Sequence, residues 1–338
     1  MIGDGMGLTQ ITAGIYSNGN KLNLEKFPIV GLHKSYSADN LITDSAAGAT
    51  AFACGVKTYN GAIAVDTDTL PVKTILEEAE AHGLATGLVA TSSIVHATPA
   101  CFIAHQKQRK MMEAIAADFL KTEIDFFIGG GKKYFTQRQT DNRDLYKELS
   151  AKDYVLTDFN KAKLINLKIS SNKNFAYFTA NEEPLPVLQG RDYLKAASSI
   201  APGFLKKHNK ENGKGFFLMI EAAQIDWGGH DNNSEYIISE LLDFDRAIGE
   251  VLKFAEADGQ TLVIVTADHE TGGFSINHGS TRDSLVTRFT TSSHTAVMIP
   301  VFAYGPGAQL FAGIYENTDI NRKMRIAFGF QEKLRGTN

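Results

Sequence analysis

The stretch Asp44-Ser45-Ala46-Ala47-Gly48-Ala49-Thr50 places a hydroxyl at the start of a small-residue run that reads as helix over 46–54. Free backbone N–H groups at a helix start attract an anion, and the helix dipole adds to the attraction. Small side chains let a ligand approach the backbone closely. Asp and Ser are also ordinary N-caps, so this stretch alone is compatible with a nucleophile beside an anion or with a plain cap. Carboxylates and imidazoles recur elsewhere at the ends of apolar runs. Glu221, Asp226 and His230 follow 216–220, Asp268 and His269 follow 261–266, and His96 and Thr98 follow 85–91. Asp4 sits in the Gly-rich opening loop, and His294 stands just before 296–304. Nitrogen and oxygen ligands together suit zinc, and oxygen-only sets suit magnesium. Singly, each has a simpler reading: capping for Asp226 and His230, an Asx turn for Asp268-His269, loop polarity for His294. Glu221 is harder to dismiss, because a carboxylate leaving an apolar strand must be paired or bound.

Those positions gain meaning from the elements that must carry them. Apolar spacing predicts helices over 70–82, 100–120, 141–149, 191–209, 234–257 and 318–328. Short apolar runs predict strands over 85–91, 124–128, 175–179, 215–220, 261–266 and 296–304, with 27–37 extended. Strands alternating with helices imply an α/β fold with a largely parallel sheet covered on both faces. Ligands then sit beyond the C-terminal ends of the strands, where the carboxylates and imidazoles cluster. The polar, Lys-rich stretch 132–186 reads as a surface lobe inserted into a single domain spanning 1–338.

Composition narrows the possibilities. The 338 residues suffice for one large α/β domain, and 43% hydrophobic with 21% charged residues is ordinary for a globular chain. A net charge of −4 argues against nucleic acid as a dedicated partner. Two cysteines, Cys54 and Cys101, form no disulfide framework; one bridge and two thiols are both open. No apolar run approaches the roughly 20 residues that cross a bilayer. No basic-then-apolar leader opens the chain.

Taken together, the motifs resemble the alkaline phosphatase family. They are Ile2-Gly3-Asp4-Gly5-Met6-Gly7, Asp44-Ser45-Ala46-Ala47-Gly48-Ala49-Thr50, His96-Ala97-Thr98-Pro99-Ala100, Arg109, Glu221 with Asp226 and His230, Thr266-Ala267-Asp268-His269-Glu270-Thr271-Gly272-Gly273, and His294-Thr295. The resemblance covers nearly the whole chain. It implies a three-layer αβα sandwich and a bacterial-type phosphomonoesterase using two Zn2+ and one Mg2+. Ser45 would be the nucleophile. Asp226, His230 and His294 would hold one zinc, and Asp4, Asp268 and His269, with Ser45, the other. Asp4 would bridge to a magnesium held by Thr98 and Glu221, and Arg109 would clamp phosphate. One zinc would lower the pKa of the serine hydroxyl and the other stabilise the leaving oxygen, with the two metals on the order of 4 Å apart.

His96 stands where some members carry Asp near the magnesium, and Trp227 where others carry Lys or His near the phosphate; both, with Asp44, would line the site from behind the ligands. The stretch 275–293 is short for a region that often holds a long insertion, so dimer contacts made by that insertion do not carry over, although a homodimer is possible. The expected partners are small phosphate monoesters and inorganic phosphate, and the expected location is periplasmic or secreted. Met1 falls where family members have nearly finished their first strand, so several strand residues and an export signal are expected upstream. A sulfatase needs a modified Cys or Ser in a Cys-x-Pro-x-Arg context that Cys54-Gly55-Val56-Lys57 lacks. Phosphodiesterase relatives usually carry Thr as nucleophile and lack the magnesium ligands.

Overall fold

A computed structural model describes residues 1–208, 213–281 and 284–330. In chain order the strands are β1 (Ile2–Gly3), β2 (Ile29–Lys34), β3 (Ala85–Ser93), β4 (Phe126–Gly130), β5 (Tyr154–Asp158), β6 (Asn174–Phe178), β7 (Phe216–Ala222), β8 (Val263–Val265), β9 (Glu270–Thr271), β10 (Ser275–Ile276), β11 (Thr287–Arg288), β12 (His294–Thr295), β13 (Ile299–Tyr304) and β14 (Gly313–Glu316). The helices are α1 (Leu8–Ser17), α2 (Ser45–Cys54), α3 (Ile75–Ala81), α4 (Ala97–Ala100), α5 (Met112–Asp118), α6 (Lys133–Thr136), α7 (Leu145–Ala151), α8 (Leu194–His208), α9 (Gln224–His230), α10 (Ser234–Asp258) and α11 (Thr318–Phe328).

Six parallel strands run in the order β1-β7-β3-β4-β6-β5. A second sheet, β14-β2-β13-β8, contains the antiparallel strand β13. The sheets join at β1, where Gly3 N donates to Thr266 O at 2.9 Å and Thr266 N to Met1 O at 3.0 Å. Strands β3 and β4 are buried along their whole length, as near-continuous apolar runs in a doubly covered parallel sheet must be. Side-chain alternation divides the core. Phe126, Ile128, Phe175 and Tyr177 face a cluster with α1, α8 and α10, while Phe127, Ala176 and Phe178 face one with α2, α3, α5 and α11. These faces make the three layers of the αβα sandwich.

Within 132–186, β5 and β6 extend the main sheet outward from β4. The helix predicted over 191–209 spans Leu194–His208, and Asn209 lies outside the described residues. The continuous helix expected over 100–120 is corrected. It breaks into α4 and α5, and 101–111 between them is irregular because its polar groups bond outward: Arg109 N to Gly61 O at 2.7 Å, Gln106 N to Ile63 O at 3.0 Å, and His105 N to the Asp118 carboxylate at 3.0 Å. Cys54 and Cys101 are both free thiols. An apolar cavity of about 760 Å3 lies beside Phe216–Ile220 and Leu262–Ile264, away from the C-terminal strand ends, and no predicted site residue lines it.

Candidate active site

Helix α2 starts where the small-residue run begins. Asp44 is its N-cap, its carboxylate accepting from Ala47 N at 3.0 Å, and Gly55 closes it in the left-handed region at φ 72°. Ser45 is therefore the first helical residue, almost wholly buried. The second carboxylate oxygen of Asp44 accepts from Arg109 Nη1 at 3.0 Å. One aspartate thus caps the helix and fixes the guanidinium, whose Nη1 lies 3.5 Å from Ser45 Oγ. The outward bonding of 101–111 brings Arg109 there, which a continuous helix would not guarantee.

The strand ends supply the rest. Register pairs Ile2 with Glu221 and Gly3 with Ala222, so Asp4 leaves β1 beside the end of β7. Gly5 follows at φ 72°; a Cβ there would lie 2.7 Å from Asp226 Cα, so only glycine permits this approach. His230 Nε2 lies 3.1 Å from His294 Nε2, and both face Asp226 Oδ1 at 3.3 and 3.5 Å. Each imidazole donates through Nδ1 to a backbone carbonyl, His230 to Ser292 O at 2.7 Å and His294 to Thr43 O at 2.8 Å. That tautomer leaves two Nε2 lone pairs aimed at one point with a carboxylate, which is how a metal is held.

A second group joins Asp4, Asp226 and His269, with ligand atoms within 4.8 Å of one another. His269 Nε2 lies 3.4 Å from Asp4 Oδ1, 3.3 Å from Asp268 Oδ2 and 3.4 Å from Ser45 Oγ. Beyond Asp4, Glu221 Oε2 accepts from Ser92 Oγ at 3.0 Å. Both oxygens of Asp4, Asp268 Oδ2, Glu221 Oε1 and Thr98 Oγ1 are buried without a hydrogen-bond partner among the described residues.

Electrostatics agree with that inventory. Burial, followed by repulsion from Asp268, Asp226 and Glu221, raises the Asp4 carboxyl well above its ordinary range. Burial chiefly pushes Glu221 up to about 8 and Asp268 up to about 7. Burial also opposes ionisation of Asp226, but His230, His269 and His294 outweigh it and hold that carboxyl low; Asp226 in turn raises His230 to about 9, so the His230 Nε2 carries a proton that a bound cation would displace. Buried carboxylates crowded with orphaned oxygens fit divalent cations, which supply the missing charge and accept those lone pairs. The donor chemistry separates the sites: imidazole and carboxylate around Asp226 and His269 suit zinc, whereas Asp4, Thr98 and Glu221 offer oxygen only and suit magnesium.

His96 and Trp227 flank the clamp. Arg109 Nη2 lies 3.4 Å from His96 Nε2, and burial, reinforced by Arg109, lowers His96 to about 3, so the neutral ring accepts. Trp227, half-buried on α9, meets His96 edge-on at a centroid distance of 6.2 Å. The structure thus brings every predicted site residue to one end of the sheet. It adds groups that carried no assigned role: Thr271 Oγ1 donates to Asp226, Ser92 orients Glu221, and the carbonyls of Thr43 and Ser292 set the histidine tautomers. Thr271 was visible within the quoted motif. Ser92 and the carbonyls had no sequence signal, because their roles depend on contacts between distant segments.

A family model described as Alkaline phosphatase matches residues 1–285. Alkaline phosphatase 3 of Bacillus subtilis (strain 168) is 34% identical, over 99% of this chain and 89% of that protein. The solved structure of alkaline phosphatase from the Antarctic bacterium TAB5 superposes with a TM-score of 0.91 at 45% identity, covering 98% of this chain and 97% of that one. A point mutant of that enzyme, solved with Mg bound in the M3 site, gives 0.89 and 44% over the same shares.

Proposed function

This chain belongs to the alkaline phosphatase family, and we propose how its own residues divide the work of that chemistry. The enzyme is a metal-dependent phosphomonoesterase: it hydrolyses phosphate monoesters to an alcohol and inorganic phosphate through a phosphoserine intermediate, with Zn2+ and Mg2+ as cofactors. In our reading Asp226, His230 and His294 hold one zinc, Asp4, Asp268 and His269 with Ser45 hold the other, and Asp4, Thr98 and Glu221 hold the magnesium. When bound, these ions supply positive charge that eases deprotonation of a hydroxyl and stabilises the leaving oxygen.

The chain's residues do the positioning. Arg109 presents its fork of N–H donors to two phosphoryl oxygens, its plane held by Asp44. Ser45 Oγ attacks phosphorus in line; the Oγ–P bond forms as the ester P–O bond breaks, and the proton that Ser45 gives up ends, through water, on the oxygen that leaves as the alcohol. Water then attacks the phosphoserine, the Oγ–P bond breaks, and Ser45 recovers its proton as phosphate departs. His96 accepts from Arg109 and Trp227 packs on His96, so both shape the rear of the clamp.

The observation that carries this reading is the place of Ser45 Oγ, 3.4 Å from His269 Nε2 and 3.5 Å from Arg109 Nη1. It stands between the ligand cluster and the one guanidinium among the described residues that reaches it. The test compares p-nitrophenyl phosphate with its diester and with p-nitrophenyl sulfate, alongside elemental analysis of the same sample. Monoester hydrolysis should dominate and track zinc content; preference for the diester would redirect the reading to phosphodiesterase chemistry.

We further read 1–338 as one domain with 132–186 as a lobe on the sheet edge, supported by the pairing of β4 with β6 and β6 with β5. No helix among the described residues is long and apolar enough to cross a membrane. Family membership supports a periplasmic or secreted location as our reading, and a homodimer is proposed on that ground alone; fractionation and sedimentation would check them.

A further inference from the structure

Segment 101–111 carries Arg109 and is tied to 59–64 rather than to a helix of its own. Gln106 and Ile63 exchange two backbone hydrogen bonds of 3.0 and 2.9 Å, and Arg109 N donates to Gly61 O. Segment 59–64 is in turn fixed to the helix of Ser45: Thr50 Oγ1 donates to Ala62 O at 3.1 Å and accepts from Ala64 N at 3.0 Å. Ala64 has φ 45°, in the left-handed region. A residue with a Cβ persists there only where its surroundings hold it. Thr50 holds the nitrogen of Ala64, and His105 together with Val72 N, at 3.0 Å, holds its oxygen.

His105 adds a side-chain tie to the backbone ones and carries it on to α3. Its Nδ1 lies 2.8 Å from Ala64 O and its Nε2 3.0 Å from Glu77 Oε1. A carbonyl and a carboxylate can only accept. Both ring nitrogens must therefore donate, a condition that only the imidazolium meets. We propose that His105 is a positioning residue for phosphate capture: an imidazolium latch between Ala64 and Glu77 that keeps Arg109 in register with Ser45, and that loosens when it loses its proton. The inference rests on the reading of Arg109 as the phosphate clamp.

The charged groups acting on the ring are Glu77 from α3 and Asp118 from α5. Burial disfavours the cation, but Glu77, the Ala64 carbonyl and Asp118 outweigh it and raise the His105 pKa. The latch is thus fully formed below the ordinary histidine value of about 6.5. Its contribution is lost as pH rises through the raised value.

The experiment measures inhibition by inorganic phosphate, in zinc- and magnesium-loaded enzyme, from about pH 6 to about pH 9, a range that spans histidine titration. It compares the wild type with His105→Gln and Arg109→Ala. At the acid end His105→Gln should bind phosphate about fivefold more weakly, the factor one net hydrogen bond carries. The ratio to wild type should fall toward one as pH rises, with metal content unchanged. A ratio that stays constant across the range, at one or above it, overturns the latch. If Arg109→Ala leaves phosphate inhibition unchanged, the clamp reading itself fails. If Arg109→Ala weakens inhibition and His105→Gln does not, only the latch fails. Should His105→Gln fold poorly, 15N–1H correlation of the wild-type imidazole decides: both ring nitrogens protonated at about pH 6 support the latch, and a neutral His105 there overturns it.

Discussion

In the proposed reading Ser45 and Arg109 do different jobs, and their substitutions should separate. Ser45→Ala removes the atom that bonds phosphorus and should lose most activity while leaving some hydrolysis by direct attack of water. Ser45→Thr keeps a hydroxyl but adds a methyl in an almost wholly buried position, so it should retain part of the rate. Chiral thiophosphate esters read the mechanism: two in-line displacements give net retention, and Tris should intercept the phosphoserine. Inversion without transfer to Tris would take Ser45 out of the nucleophile role. Arg109→Ala should weaken phosphate inhibition by roughly 1.5–3 kcal/mol, the value of a charge-assisted contact, with metal content intact. Inhibition assays and elemental analysis on one preparation check both halves. Residue types and motif context made these two legible from sequence. Which tautomer each histidine takes was not, because Thr43 O and Ser292 O lie 251 and 62 residues from the rings they hold.

Two elements depend on single residues. Asp44 both caps α2 and pairs with Arg109, and two substitutions divide these roles. Asp44→Asn keeps an N-cap oxygen, so its urea midpoint should stay near wild type while phosphate binding weakens. Asp44→Ala should also lose about 1 kcal/mol of stability. Equal phosphate binding in Asp44→Asn and wild type would mean that the carboxylate charge does not steer Arg109. The loop after β1 depends on Gly5, where a Cβ would strike Asp226 and the φ of 72° disfavours any other residue. Gly5→Ala should therefore shift Asp226 and speed zinc loss to a chelator, measured by a chromogenic zinc indicator; loss at the wild-type rate would show that the loop adjusts freely. Capping and the small-residue run announced α2 in the sequence, whereas the opening residues read only as a Gly-rich loop. The break of 100–120 into α4 and α5 did not announce itself, since its helical spacing is overridden by hydrogen bonds to Gly61, Ile63 and Asp118.

At the scale of the molecule, the C-terminal strand ends gather Asp4, Glu221, Asp226 and Asp268 into a buried site whose repulsion must be balanced. Glu221 and Asp268 titrate at about 8 and about 7 in the folded chain, above the ordinary carboxylate values near 4. Between those limits these two carboxyls bind more protons in the folded state than in the unfolded, but below about 6.5 the buried, lowered His33, His96 and His269 act in the opposite direction, so stability of the metal-free protein should fall as pH rises from about 6.5 to about 8. Zinc plus magnesium should remove that slope and restore activity lost on chelation, with about two zincs and one magnesium per chain. Thermal melts of stripped and reloaded protein across pH decide it; a flat profile in the stripped form would mean the carboxylates are balanced by protein groups alone. The sequence by itself determined the α/β layering, because apolar periodicity is a local property of the chain, and its motifs, through their resemblance to the family, named the candidate ligands and nucleophile. Only the tertiary structure decided how Asp4 reaches Glu221, how Arg109 reaches Ser45, and which carbonyls orient His230 and His294. Those are set by strand register and by hydrogen bonds between segments far apart in the chain, and no local pattern of residues encodes them.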